Sequence, residues 1–99
     1  MIVHIAEYRW KDGTSSSQIE DALAKVRALR DILDGVLDIR CGENYSRWNK
    51  GYTHAIVVLA KDQAGLDAYR EHPDHAAVAA EIEAIEADGI GIDFEDSTR

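Results

Sequence analysis

In the stretch AYREHPDH, Tyr69 stands six residues ahead of His75, and His72 and the chain's single proline, Pro73, lie between them. An imidazole changes charge near neutrality and can take up or release a proton. A phenol, with a pKa of about 10, stays protonated there and donates well to a developing oxyanion. A base and a donor of this kind suit removal of a proton alpha to a carbonyl, with His75 as base and Tyr69 as oxyanion donor. Spacing alone leaves a second reading open, in which Tyr69 plugs the core beside a helix break and the histidines hold that break together.

His4 and His54 fall within strand-like runs, MIVHIAEYRW and YTHAIVVLA. His4 shares its alternation with Ala6 and Tyr8, and His54 shares its own with Ile56 and Val58. His4, His54, Tyr8 and Ile56 are therefore candidate substrate-binding residues. His72, Asp74 and His75 offer three metal ligands, but Pro73 makes the backbone irregular and no further cluster completes a coordination sphere. No tight metal site is expected, and only weak Mg²⁺ or Ca²⁺ binding stays open there. There is no Gly-x-Gly-x-x-Gly, no phosphate loop and no Gly-x-Ser-x-Gly elbow, so no cofactor is expected. The serines of TSSSQ read as helix caps, and Cys41 as a small buried hydrophobe.

Nineteen acidic residues against eleven basic give a net charge of −8, which repels nucleic-acid backbones and anionic membranes. The expected partners are a small molecule and a second copy of the chain, with no nucleic acid and no membrane. One cysteine and no charged-then-apolar leader read as cytoplasmic. Residues 1–99 are expected to form a single domain around one core.

Helical spacing of Ile19, Leu23, Val26, Leu29 and Leu33 predicts a first helix ending near Asp34, with Gly35 as its stop. Leu37, Ile39 and Cys41 alternate with Asp38 and Arg40, as in an edge strand with one wet side. SRWNKG reads as a hairpin turn, with Trp48 covering the sheet edge and Trp10 placed in the pocket or at a subunit seam. A short helix should break near His72, with Pro73 in the first turn of the next, because that turn leaves its N–H groups unpaired in any case. That second helix is expected to run to Gly89, and Ile90, Ile92 and Phe94 to form a fourth strand.

The order β-α-β-β-α-β predicts an α+β, ferredoxin-like antiparallel sheet with strands one and three central and both helices on one face. The face carrying Ala6, Tyr8, Ile56 and Val58 would then be left open, and two such faces would close a homodimeric barrel. On that placement His4 and His54 point into the barrel from opposite ends of the sheet. His75, at a helix N-terminus that disfavours its charged form, becomes the neighbour of His4.

GYTH at Gly51–His54, the Tyr69/His72/Pro73/His75 pattern and the histidine of the opening strand together resemble the stress-responsive dimeric α/β-barrel (Dabb) family across nearly the whole chain. The resemblance implies a ferredoxin-like homodimer with a cavity in each subunit. In a plant polyketide cyclase of that family the residues matching Tyr69 and His75 carry an aldol ring closure without a cofactor, and the strand histidines match His4 and His54. A polyketide or aromatic acid is the ligand so implied. The alternatives are a non-catalytic stress-responsive or ligand-binding barrel and a cofactor-free monooxygenase.

Overall fold

The computed structural model describes residues 1–97. The elements are β1 (Ile2–Trp10), α1 (Ser16–Ala28) continued by a 3₁₀ turn (Leu29–Asp31), β2 (Val36–Glu43), β3 (His54–Ala60), α2 (Gln63–Glu71), α3 (Pro73–Ile85) and β4 (Glu86–Glu95). The strands form one sheet in the order β2-β3-β1-β4, every neighbouring pair antiparallel. This is the ferredoxin-like arrangement, with the two doubly apolar strands at its centre and β2 at an edge.

Local chemistry sets the helix ends. Ser15 accepts from the Gln18 N–H while the Gln18 side chain accepts from the Ser15 N–H, a reciprocal cap that starts α1. That helix lays Ile19, Ala22, Leu23 and Val26 on the sheet; each large aliphatic side chain so buried contributes about 1.5–3 kcal/mol. Asp62 caps α2 through the Gly65 N–H at 2.8 Å. His72, extended at φ −67° and ψ 136°, ends α2 and begins α3, its Nδ1 accepting the Asp74 N–H at 3.0 Å. The break falls where Pro73 places it.

The buried and open faces are exchanged relative to the sequence expectation. Cross-strand partners share a face; His4 lies opposite Val58, Ala6 opposite Ile56 and Tyr8 opposite His54. Ile56 and Val58 sit in the core with residues of α1, α2 and α3, so this alternation faces the helices. The open face instead carries Val3, Ile5, Val57 and Leu59, flanked on β4 by Ile90, Ile92 and Phe94. Both alternations of β1 and β3 are apolar, so polarity could not tell the two faces apart.

Other boundaries moved for identifiable reasons. The second long helix stops at Ile85, not Gly89: the Lys11 N–H takes the Ile85 carbonyl at 2.8 Å and Glu86 pairs with Trp10, which draws the chain directly into β4. The first helix gives way to the 3₁₀ turn before Leu33, which still packs against the core. A register shift between Val36 and Asp38 turns Leu37 outward, 52% exposed. Trp48 does not cover the sheet edge; it is 69% exposed under the Arg47 guanidinium, 4.1 Å from the ring centre. Trp10 stacks on Tyr8 and packs against the core. Gly35 meets Gly65 of α2 so closely that a Cβ on Gly35 would lie 2.6 Å from the Gly65 Cα.

Candidate active site

The inward positions of β4 are Gly89, Gly91 and Asp93, opposite Tyr8, Ala6 and His4 of β1. Two glycines and an alanine leave a gap under α3 that larger side chains would fill. A Cβ placed on Gly91 would meet nothing within 4 Å. The gap is a cavity of about 580 Å³, walled by Val78, Ala79 and Ile82 of α3.

Five of the six predicted site residues line this one cavity: His4, Tyr8, Ile56, Tyr69 and His75. The break at His72 folds α3 back so that the rings of Tyr69 and His75 meet edge to face, 4.6 Å between centroids. Tyr69 is only 3% exposed, and burial pushes its phenol up to about 12. Among the described residues its hydroxyl has no hydrogen-bond partner, yet no buried side-chain polar atom is left unsatisfied. The oxygen therefore reaches the cavity surface as a protonated, unengaged donor.

Burial also lowers the His75 pKa below the usual histidine value, with smaller contributions from His4 and Arg70; the backbone of Arg70, hydrogen-bonding the ring, opposes them. His75 is thus held neutral near pH 7. A neutral imidazole keeps one nitrogen without a hydrogen, and that nitrogen can accept a proton.

His4 closes the same end of the cavity. Its Nδ1 lies 2.5 Å from Asp93 Oδ1, while Arg70 Nη2 donates to Asp93 Oδ2 at 2.6 Å. A carboxylate only accepts, so Nδ1 of His4 carries the hydrogen and the ring orientation is fixed. Arg70 first, and His4 second, hold the Asp93 carboxyl below the usual range. The opposite end has Tyr8, Glu83 and Glu86; burial and then the Glu86 charge raise the Tyr8 phenol.

His54 is not among the residues lining the cavity. Its Nδ1 lies 2.9 Å from both the Trp10 indole N–H and the Thr53 hydroxyl, behind the stacked Tyr8 and Trp10 rings. His4 and His54 are four register positions apart on antiparallel strands, so they make no pair. His72 serves as a helix cap, and among the described residues no group of three or more His, Cys, Asp and Glu side chains could hold a metal ion. Among the described residues, no helix is long and apolar enough to cross a membrane.

Sequence reasoning missed Arg70, Asp93, Glu83 and Glu86. Asp93 did carry a signal: it sits out of phase with Ile90, Ile92 and Phe94, on the alternation whose other members are glycines, the pattern of a strand face that bounds a cavity. The GYTH segment works around the site. Gly51 takes φ +88°, Tyr52 donates to Asp88 Oδ2 at 2.8 Å, and the Thr53 N–H takes the Tyr8 carbonyl at 3.0 Å.

The model of the stress responsive A/B barrel domain matches residues 2–96. The chain belongs to that family. The stress-response A/B barrel domain-containing protein DABB1 of Arabidopsis thaliana is 26% identical over 98 residues, which cover 95% of this chain and 46% of the relative. The chain thus spans about half the length of the curated relative it matches. Among solved structures, a dimeric ferredoxin-like protein of unknown function from Thermobifida fusca is 29% identical with a TM-score of 0.84, covering 94% of this chain and 88% of the other. The hydroxynitrile lyase of Passiflora edulis shares the fold at 19% identity and a TM-score of 0.87, over 99% of this chain and 95% of the lyase.

Proposed function

We propose that the cavity binds a small carbonyl compound and catalyses a cofactor-independent, aldol-type lyase or cyclase step. The observation that carries this reading is the meeting, in one cavity, of a neutral imidazole on His75 and an unengaged phenol on Tyr69. His75 takes a proton from the carbon alpha to the carbonyl. The C–H electron pair becomes the enolate, whose oxygen accepts a hydrogen bond from Tyr69. The enolate carbon then attacks a second carbonyl, and the new alkoxide receives the proton back from the His75 imidazolium. Positioned acid–base help of this kind is worth about 10²–10⁴-fold. His4, oriented by Asp93, together with Tyr8 and Ile56, shapes the substrate's surroundings. A fold neighbour named a hydroxynitrile lyase fits a barrel that supports lyase chemistry.

Exchange of the methyl protons of an aryl methyl ketone in D₂O, followed by proton NMR, tests the base without knowledge of the natural substrate. Protein-catalysed exchange that His75→Ala abolishes, with the fold intact, is the expected result. Exchange at the buffer rate in both proteins, with the ketone bound, favours the non-catalytic ligand-binding barrel.

The protein acts as a homodimer in this reading. Ile90, Ile92 and Phe94 are 40%, 43% and 48% exposed beside Ile5, Val57 and Leu59 on the sheet face without helices. A contiguous apolar face of this kind suits a second copy, and the Thermobifida relative is described as dimeric. Sedimentation at micromolar concentration should return twice the 11.0 kDa chain mass; a monomer there would contradict the assembly.

A further inference from the structure

The two ends of the cavity differ in charge. At the His75 end, Arg70 is matched by Asp93 at 2.6 Å. At the other end, Glu83 and Glu86 line the cavity and, among the described residues, neither has an ion-pair or hydrogen-bond partner. Lys11, on the loop after β1, places its Nζ on the Ala84 carbonyl at 3.1 Å.

Two further features have the same sign. α3 runs along the cavity from His75 to Glu83, so its partial positive end lies at the proton-accepting histidine and its partial negative end, partly offset by Lys11, near the glutamates. The Tyr8 ring, backed by Trp10 in a stack with 5.3 Å between centroids and 20° between planes, lines the cavity beside Glu86. An aromatic face next to unpaired carboxylates is the chemistry that holds an organic ammonium group.

We propose that this end of the cavity selects an ammonium group, so that the site takes carbonyl compounds carrying an amine and discriminates against those carrying a carboxylate. The distance follows from the strand. His4 and Tyr8 are four residues apart on β1, about 13 Å at roughly 3.3 Å per residue. The Glu86 carboxylate folds back to the Tyr8 level, where its Oε2 lies 2.9 Å from the point a Gly89 Cβ would occupy. The side chains of the two ends converge in the cavity, where the Tyr8 phenol is near enough to Tyr69 to raise its pKa, so the amine lies within this span of the reacting carbonyl. This inference rests on the proposed carbonyl site for its other end.

The test uses three aryl methyl ketones with a para four-carbon chain ended by an ammonium, a methyl or a carboxylate. Affinities are measured by calorimetry, and the His75 and Tyr69 ring signals are followed by NMR. The ammonium probe should bind at least tenfold more tightly than the carboxylate probe. In Glu83→Gln/Glu86→Gln the ratio should fall to threefold or less, while the same charge change on the exposed face of α1, Glu20→Gln/Asp21→Asn, leaves it as it was. A ratio unchanged by the first pair would show the overall −8 charge at work and overturn the proposal. Equal binding by all three probes, with His75 and Tyr69 still shifting, overturns the ammonium end alone. Binding by none overturns it together with the carbonyl site.

Discussion

Replacing Tyr69 by phenylalanine separates a catalytic phenol from a structural one. The ring belongs to the core and meets His75 at 4.6 Å, and Phe keeps that packing. The hydroxyl has no partner among the described residues, so its removal breaks no hydrogen bond. The folding free energy should therefore stay within about 0.5 kcal/mol of the parent. In a domain of this size, where 1 kcal/mol moves Tm by roughly 4–8 °C, that is a shift of no more than about 4 °C. If the phenol steadies the enolate, losing it costs about 10²–10³ in rate, the usual effect of removing one oxyanion donor. Thermal unfolding by circular dichroism and methyl-proton exchange of an aryl methyl ketone read the two quantities on the same samples. Tyr69→Ala is the counterpart, since deleting the ring should destabilise the fold by about 3–5 kcal/mol. A Phe variant that exchanges within twofold of the parent, or melts more than 10 °C lower, would refute the reasoning.

Acidification should weaken the fold through His75. Burial sets its folded pKa below the unfolded value, so the unfolded chain takes up a proton first and stability falls as the pH drops below about 6.5. His75→Gln should flatten that part of the Tm-against-pH curve; an unchanged slope would place the titration elsewhere. Gly91→Val puts an aliphatic side chain into the cavity at a position where a Cβ meets nothing within 4 Å. It should leave Tm nearly unchanged and weaken ketone binding at least tenfold in calorimetry. Gly35→Ala drives a methyl to 2.6 Å from the Gly65 Cα, and overpacking against backbone should lower stability by about 1–3 kcal/mol in urea unfolding.

The sequence carried the element order because the signals there were local. Ser15 and Gln18 cap one helix, Pro73 fixes the start of another, and the doubly apolar β1 and β3 could only be central strands. It did not say which apolar alternation met the helices. His4, Ala6 and Tyr8 are as compatible with one face as with the other, and the choice depends on how α3 docks. The pairing of His75 with His4 survived that ambiguity because it followed from connection topology. His54 did not join the cavity because its Nδ1 is engaged by Trp10 and Thr53, contacts across the sheet and at its own strand's start that no alternation pattern reveals. The helical pattern of EIEAIEAD extends through Glu86, and only pairing with Trp10 turns that residue into the first of β4.

The central claim is that His75 is a neutral, accessible base beside the Tyr69 phenol. The most direct measurement is an NMR titration of the four histidine rings, run with and without an aryl methyl ketone. The account predicts that His75 titrates below its ordinary value and that its signal moves with that of Tyr69 when the ketone is added, while His54 stays unmoved. A His75 ring that keeps one protonation state across the range and ignores the ketone would contradict it, leaving AYREHPDH as a helix boundary and nothing more.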